Sequence, residues 1–115
     1  MPTINIYYHD NADHTHLAKM VDGLKVTAAR ELSCGDINLA PDEISVRVIK
    51  VDGSGMLADV ELEVTAHAFD DRVARQDDIS LAMRAFVAAH LHNKEVRVWL
   101  LLPQLGHSWE PDPAS

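Results

Sequence analysis

The residue with the most distinctive chemistry is Pro2. When an initiator methionine is removed in front of a proline, the chain starts with a secondary amine. An α-amino group in an unstructured peptide titrates at about 7.7 to 8.0, and burial or a nearby cation brings it close to neutrality, where general acid–base catalysis works best. Proton transfer then needs no side-chain base. It does need positive charge alongside, because taking a proton from carbon leaves an enolate, and arginine's planar fork suits both an enolate and a carboxylate. Tyr8, His67 and Trp109 are candidate ligand contacts, with His107 beside them in the tail.

Other chemically active types are less persuasive. His14-Thr15-His16 stands at a helix start, where residues two apart diverge by roughly 200° around the axis, and His90 and His92 have the same difficulty. A metal site around His9, His14, Asp10 and Asp13 is therefore disfavoured, and no metal or other cofactor is expected. Cys34 lies at a helix end, where the dipole disfavours a thiolate, so it is assigned to packing. Ser54, in Asp52-Gly53-Ser54-Gly55, precedes no helix and has no base at a suggestive distance, so it reads as a turn.

Four strands and two helices must position these groups. Residues 3–8 alternate with Ile4, Ile6 and Tyr8 on one face, and Ala58 to Ala68 alternates with Val60, Leu62, Val64 and Ala66 on one face. Ile44 to Val51 and Val96 to Leu102 are the other strands. Leu17, Met20, Val21, Leu24, Ala28 and Leu32 recur at helical spacing behind Asp10 or Asp13 as N-cap, with Gly35 as a stop. Ile79, Ala82, Met83, Phe86, Val87 and His90 do the same behind Asp70 or Asp71. Ile4 aligns with Val60, and Val46-Arg47-Val48 with Val96-Arg97-Val98, so residues 1–57 and 58–115 read as duplicated β-α-β halves of a single domain. The expected fold is α/β (α+β): a four-stranded sheet with two helices on one face. The other face would carry Arg47, Glu61, Glu63, Arg97, Trp99 and Leu101, a mixture that a monomer seldom exposes, so an oligomer is expected.

Composition narrows the partners. Across 115 residues, 47% hydrophobic and 24% charged, ten Lys and Arg stand against eighteen Asp and Glu, a formal charge of −8. No basic cluster exists to bind a phosphate backbone, so nucleic acid is not an expected partner. No apolar run is long enough to span a bilayer and no signal peptide is evident, so no membrane association and a cytoplasmic location are expected.

Pro2-Thr-Ile-Asn-Ile with Asp10-Asn11, then Arg47-Val48-Ile49-Lys50-Val51-Asp52, Met56-Leu57-Ala58-Asp59 and Ala74-Arg75-Gln76, resemble the tautomerase superfamily. That superfamily includes 4-oxalocrotonate tautomerase and macrophage migration inhibitory factor, and the likeness is greatest to the 5-carboxymethyl-2-hydroxymuconate isomerases. The resemblance implies a tautomerase/MIF-like fold and a homotrimer whose sheets wrap a central barrel, with sites at subunit boundaries near each Pro2. It implies cofactor-free proton transfer in an unsaturated keto or enol acid, a small anionic organic acid, with Pro2 as the acid–base group and Arg47, at the strand position that matches the family's arginine, as the leading anion contact, or Ser45 in its place if the register shifts by two residues. Two departures stand out. The loop His9 to His16 has no arginine where 4-oxalocrotonate tautomerase carries one, and Asp70 or Asp71 falls where the muconate isomerase carries one, leaving Arg72 or Arg75 as substitutes. A catalytically inactive oligomer, and a proline-dependent hydratase or dehalogenase, are the alternative readings.

Overall fold

Strand alternation decides which way each residue of the sheet faces. In the computed structural model, which describes residues 2–10, 12–52, 55, 56 and 58–104, β1 is Thr3–Tyr8, β2 is Ser45–Lys50, β3 is Val60–Thr65 and β4 is Val96–Leu101. Ile4, Ile6 and Tyr8 of β1 and Val60, Leu62 and Val64 of β3 are buried, and their neighbours in sequence are only half-buried. The third strand is shorter than its eleven-residue alternation predicts, because alternation marks a half-buried extended segment whether or not ladder bonds extend along it.

The order in the sheet is β2-β1-β3-β4. β1 pairs with β2 in parallel, β3 with β4 in parallel, and β1 with β3 antiparallel. The register repeats between halves: Ile4 lies opposite Val46 as Val60 lies opposite Val96.

Helix α1, His14–Leu32, connects β1 to β2, with a single 3-10 turn, Pro41–Glu43, before β2. Asp13 is its N-cap, accepting from the Thr15 amide at 3.0 Å. Removing that acceptor frees an orphan amide, so Asp13→Ala lowers stability by about 1 kcal/mol, read as an earlier urea midpoint with unchanged slope. Leu17, Met20, Leu24, Ala28 and Leu32 are buried against the sheet, and Gly35 follows the helix with φ +53°.

The second helical segment is broken. α2, Asp70–Ala74, and α3, Gln76–His90, meet at Arg75, whose φ of −110° and ψ of 17° interrupt the helix. Phe69, rather than Asp70 or Asp71, is the N-cap of α2, and both aspartates sit in the first turn, where the dipole favours them without a capping bond. Ile79, Met83 and Val87 form the buried stripe of α3, while His90 is exposed and bonds its Nδ1 to the Phe86 carbonyl at 2.8 Å. α1 and α3 approach closely at Gly23, where an added Cβ would stand 2.6 Å from Phe86 Cζ.

No helix or strand of the described residues covers the opposite face of the sheet. Arg47 lies opposite Asn5, Asn5 opposite Glu63, and Glu63 opposite Trp99, placing these side chains on one surface with Arg97 and Leu101. Trp99 is 47% and Leu101 48% exposed, an unusual presentation for large apolar groups in a sheet.

Candidate active site

Pro2 is buried at the start of β1, and its carbonyl accepts from the Ser45 amide at 3.1 Å. It lines a cleft of about 240 Å³ whose walls come from three places. The segment after α1 supplies Ile37 and Leu39, the 3-10 turn supplies Glu43, and the segment from β3 into α2 supplies His67, Phe69 and Arg72. Thus Pro2 converges on one concavity with His67 and Arg72, which are distant from it in sequence.

Arg72 is the arginine among the described residues that line this cleft. It is only 3% exposed, and its Nε donates to the Leu32 carbonyl at 2.8 Å while Nη1 donates to the His67 carbonyl at 3.1 Å. Its guanidinium also stacks 4.9 Å from the Phe69 ring centroid. Burial pulls its pKa below the ordinary arginine value, an effect opposed by the adjacent Cys34 thiol and reinforced by Arg75. Arginine titrates so high that the group stays charged at neutral pH regardless. Arg75 serves the same helix end: its Nη2 donates to the Glu31 and Ser33 carbonyls at 3.1 and 3.3 Å and to Asp71 Oδ2 at 2.9 Å. Asp71 raises the pKa of Arg75 further. Together the two arginines satisfy the last carbonyls of α1, which otherwise lack donors. Arg72 alone also faces the cleft.

His67 stacks edge-on with Phe69, 4.7 Å between ring centroids. Glu43 brings a carboxylate to the rim, and its Oε1 accepts from the Ala40 amide at 3.1 Å. The remaining walls are apolar.

None of the other candidates among the described residues lines this cleft. Ser45 adjoins Pro2 through the ladder bond just described. Arg47 is exposed on the uncovered face, where Nη1 donates to Asn5 Oδ1 at 3.3 Å. Asn5 Nδ2 in turn donates to Glu63 Oε1 at 3.0 Å, and the Tyr7 hydroxyl donates to the same oxygen at 3.2 Å. Burial, with Glu63 adding to it, raises the Tyr7 pKa. Tyr8 sits at the far end of β1, roughly 20 Å from Pro2 at the strand rise, with its hydroxyl 2.8 Å from His14 Nδ1. Trp109 and His107 fall outside the described residues, as does Ser54. Among the described residues no group of three potential metal ligands is assembled. The sequence reading missed Phe69, Ile37 and Leu39 as cleft walls, because apolar loop residues carry no chemical signature until the chain folds.

No model of a known protein family matches this chain, and no curated protein matches it. Solved structures do. The crystal structure of native fused 4-OT is 13% identical with a TM-score of 0.67, covering 97% of each chain. A macrophage migration inhibitory factor-like protein from Entamoeba histolytica is 9% identical with a TM-score of 0.65, covering 96% of this chain and 95% of that one. Malonate semialdehyde decarboxylase is 9% identical with a TM-score of 0.63, covering 97% and 93%. At such identities the likeness is one of architecture. The chain has the tautomerase fold.

Proposed function

We propose that this protein belongs to the tautomerase superfamily and is a cofactor-independent isomerase that moves a proton within a small unsaturated keto or enol acid. The observation that carries this reading is the convergence of buried Pro2 with the buried Arg72 guanidinium in one cleft. With Met1 removed, the Pro2 nitrogen takes a proton from the carbon beside a carbonyl. The C–H electrons pass into the enolate, and the proton returns from nitrogen to a different carbon. Arg72 faces the developing negative charge or the carboxylate, with Arg47 as a second anion contact once a neighbouring protomer closes the site. The reaction resembles that of 5-carboxymethyl-2-hydroxymuconate isomerase. The buried Arg72 cation and the Glu43 carboxylate at the rim suit an acid of lower charge than that tricarboxylate.

Intact-mass measurement first establishes that Met1 is absent. The processed protein is then assayed with phenylenolpyruvate and with 5-carboxymethyl-2-hydroxymuconate. Turnover of either supports the proposal, and turnover of neither favours the inactive oligomer. Malonate semialdehyde decarboxylase, whose structure has been solved as a basis for decarboxylase and hydratase activities, shares this architecture. Addition of water to an unsaturated acid by the same proline is therefore the second reading, and water uptake or halide release from a haloacrylate supports it.

The duplicated halves, about 1–57 and 58–115, form one domain in this reading, and three copies associate through the uncovered sheet face. Fused 4-OT has been solved as a symmetric trimer at a TM-score of 0.68 and 14% identity. Trp99→Lys combined with Leu101→Asp puts unpaired charge where the proposal buries apolar surface. Sedimentation equilibrium is expected to shift from trimer to monomer in that variant, and an unchanged trimer would remove this face from the assembly.

A further inference from the structure

We infer that a second cleft, at the opposite end of the sheet from Pro2, binds a small organic anion through Lys94, His16 and His92. Its position follows from the repeated register of the two halves. The Pro2 cleft is walled by the segment after α1 and by the segment leading from β3 into α2. The second is walled by the counterparts of both: the segment after α3, with Leu91, His92 and Lys94, and the segment leading from β1 into α1, with Asp13 and His16. It is the larger of the two, about 390 Å³ against 240 Å³.

The charges in it are unequally committed. Asp10, at one edge, has its Oδ1 3.3 Å from Lys50 Nζ, and Asp13 Oδ1 accepts from the Thr15 amide at the positive end of α1. The side chains of Lys94, His16 and His92 form no hydrogen bond or ion pair with any other described residue. Lys94 is half-buried, so an anion placed against it meets less competition from water than at a fully solvated ammonium. Each imidazole can donate an N–H to that anion in either protonation state. Leu91, which is 5% exposed, and Ala12 contribute apolar floor, so the cleft suits a carboxylate carrying an apolar group better than a bare inorganic ion. The overall charge of −8 opposes any anion at long range, which leaves recognition to these near contacts and to partial desolvation.

The test is an amide-resolved NMR titration of the intact, assembled protein with benzoate, and with benzamide as its neutral isostere. Benzoate is expected to give saturable shifts at residues 12–16 and 91–94 that benzamide does not reproduce. Lys94→Ala and Lys94→Gln, with spectra otherwise unchanged, are each expected to raise the benzoate Kd about tenfold. Shifts confined to residues 37–39 and 67–72 would place benzoate in the Pro2 cleft alone and overturn the inference. Equal response to benzamide, or a Kd indifferent to Lys94, would overturn it as well.

Discussion

Replacing Pro2 with Ala is expected to lower kcat/KM towards the enol acid that the processed protein turns over by about 10²- to 10⁴-fold, the range typical of a lost general base. The variant keeps an amine at the same place once Met1 is removed, but a primary one without the pyrrolidine ring that fixes its direction at the mouth of β1. Folding is not at stake, because the Pro2 carbonyl bonded to the Ser45 amide is retained and no backbone donor is removed. A far-ultraviolet spectrum and urea midpoint matching the parent would establish that. A fall in kcat with little change in KM is the pattern expected of a group that acts on the transferred proton rather than on substrate binding. Full activity in the Ala variant would exclude a catalytic need for proline and leave the primary amine of residue 2 or a side-chain base as the reading. If the amine is the base, the pH profile of kcat/KM should also show a single ascending limb belonging to residue 2.

Much of the architecture was legible because alternation and helical spacing are imposed by the same solvent boundary that the folded chain creates. Ile4, Ile6, Val60, Leu62 and Val64 face the helices, and Arg47, Glu61, Glu63, Arg97, Trp99 and Leu101 face away. The interruption at Arg75 was not legible, since the apolar positions of α3 keep their spacing on its own and a helix-compatible residue sits at the break. The expectation that Asp70 or Asp71 caps that helix failed for a related reason. Short polar side chains are common both at the N-cap and in the first turn, and only the backbone angles at Phe69 distinguish them.

The site was legible as chemistry and much less so as geometry. Residue types named Pro2 and a set of arginines, but nothing in their spacing tells which guanidinium is buried and which is solvated. That depends on where the last turn of α1 ends against the first turn of α2. Arg72 and Arg75 are both drawn there by unpaired carbonyls, and only Arg72 also reaches the Pro2 cleft. Arg47, in contrast, is held in the Asn5 and Glu63 network on the face where β1, β2 and β3 lie side by side. In the proposed trimer its contribution to a site depends on a second protomer.

The double engagement of Arg72 yields the largest expected effect on stability. Arg72→Met keeps a flexible side chain of similar reach over Phe69 but removes the donors to the Leu32 and His67 carbonyls, in a position that is 3% exposed. Each buried acceptor left without a partner costs about 1–3 kcal/mol, offset in part because a buried charge no longer has to be desolvated. A loss of about 2–4 kcal/mol is therefore expected, read as an earlier urea midpoint with unchanged slope. Arg72→Lys retains the charge, but a single ammonium cannot reproduce the fork that serves two carbonyls at once, so its midpoint should fall between the two. Activity separates the structural role from the one facing the cleft. Should Arg72 also hold the substrate carboxylate, Arg72→Lys raises KM more than it lowers kcat even at temperatures where the variant is fully folded. A KM equal to the parent's would confine Arg72 to fastening α1 to α2, and the anion contact would pass to Arg47 of the assembled protein.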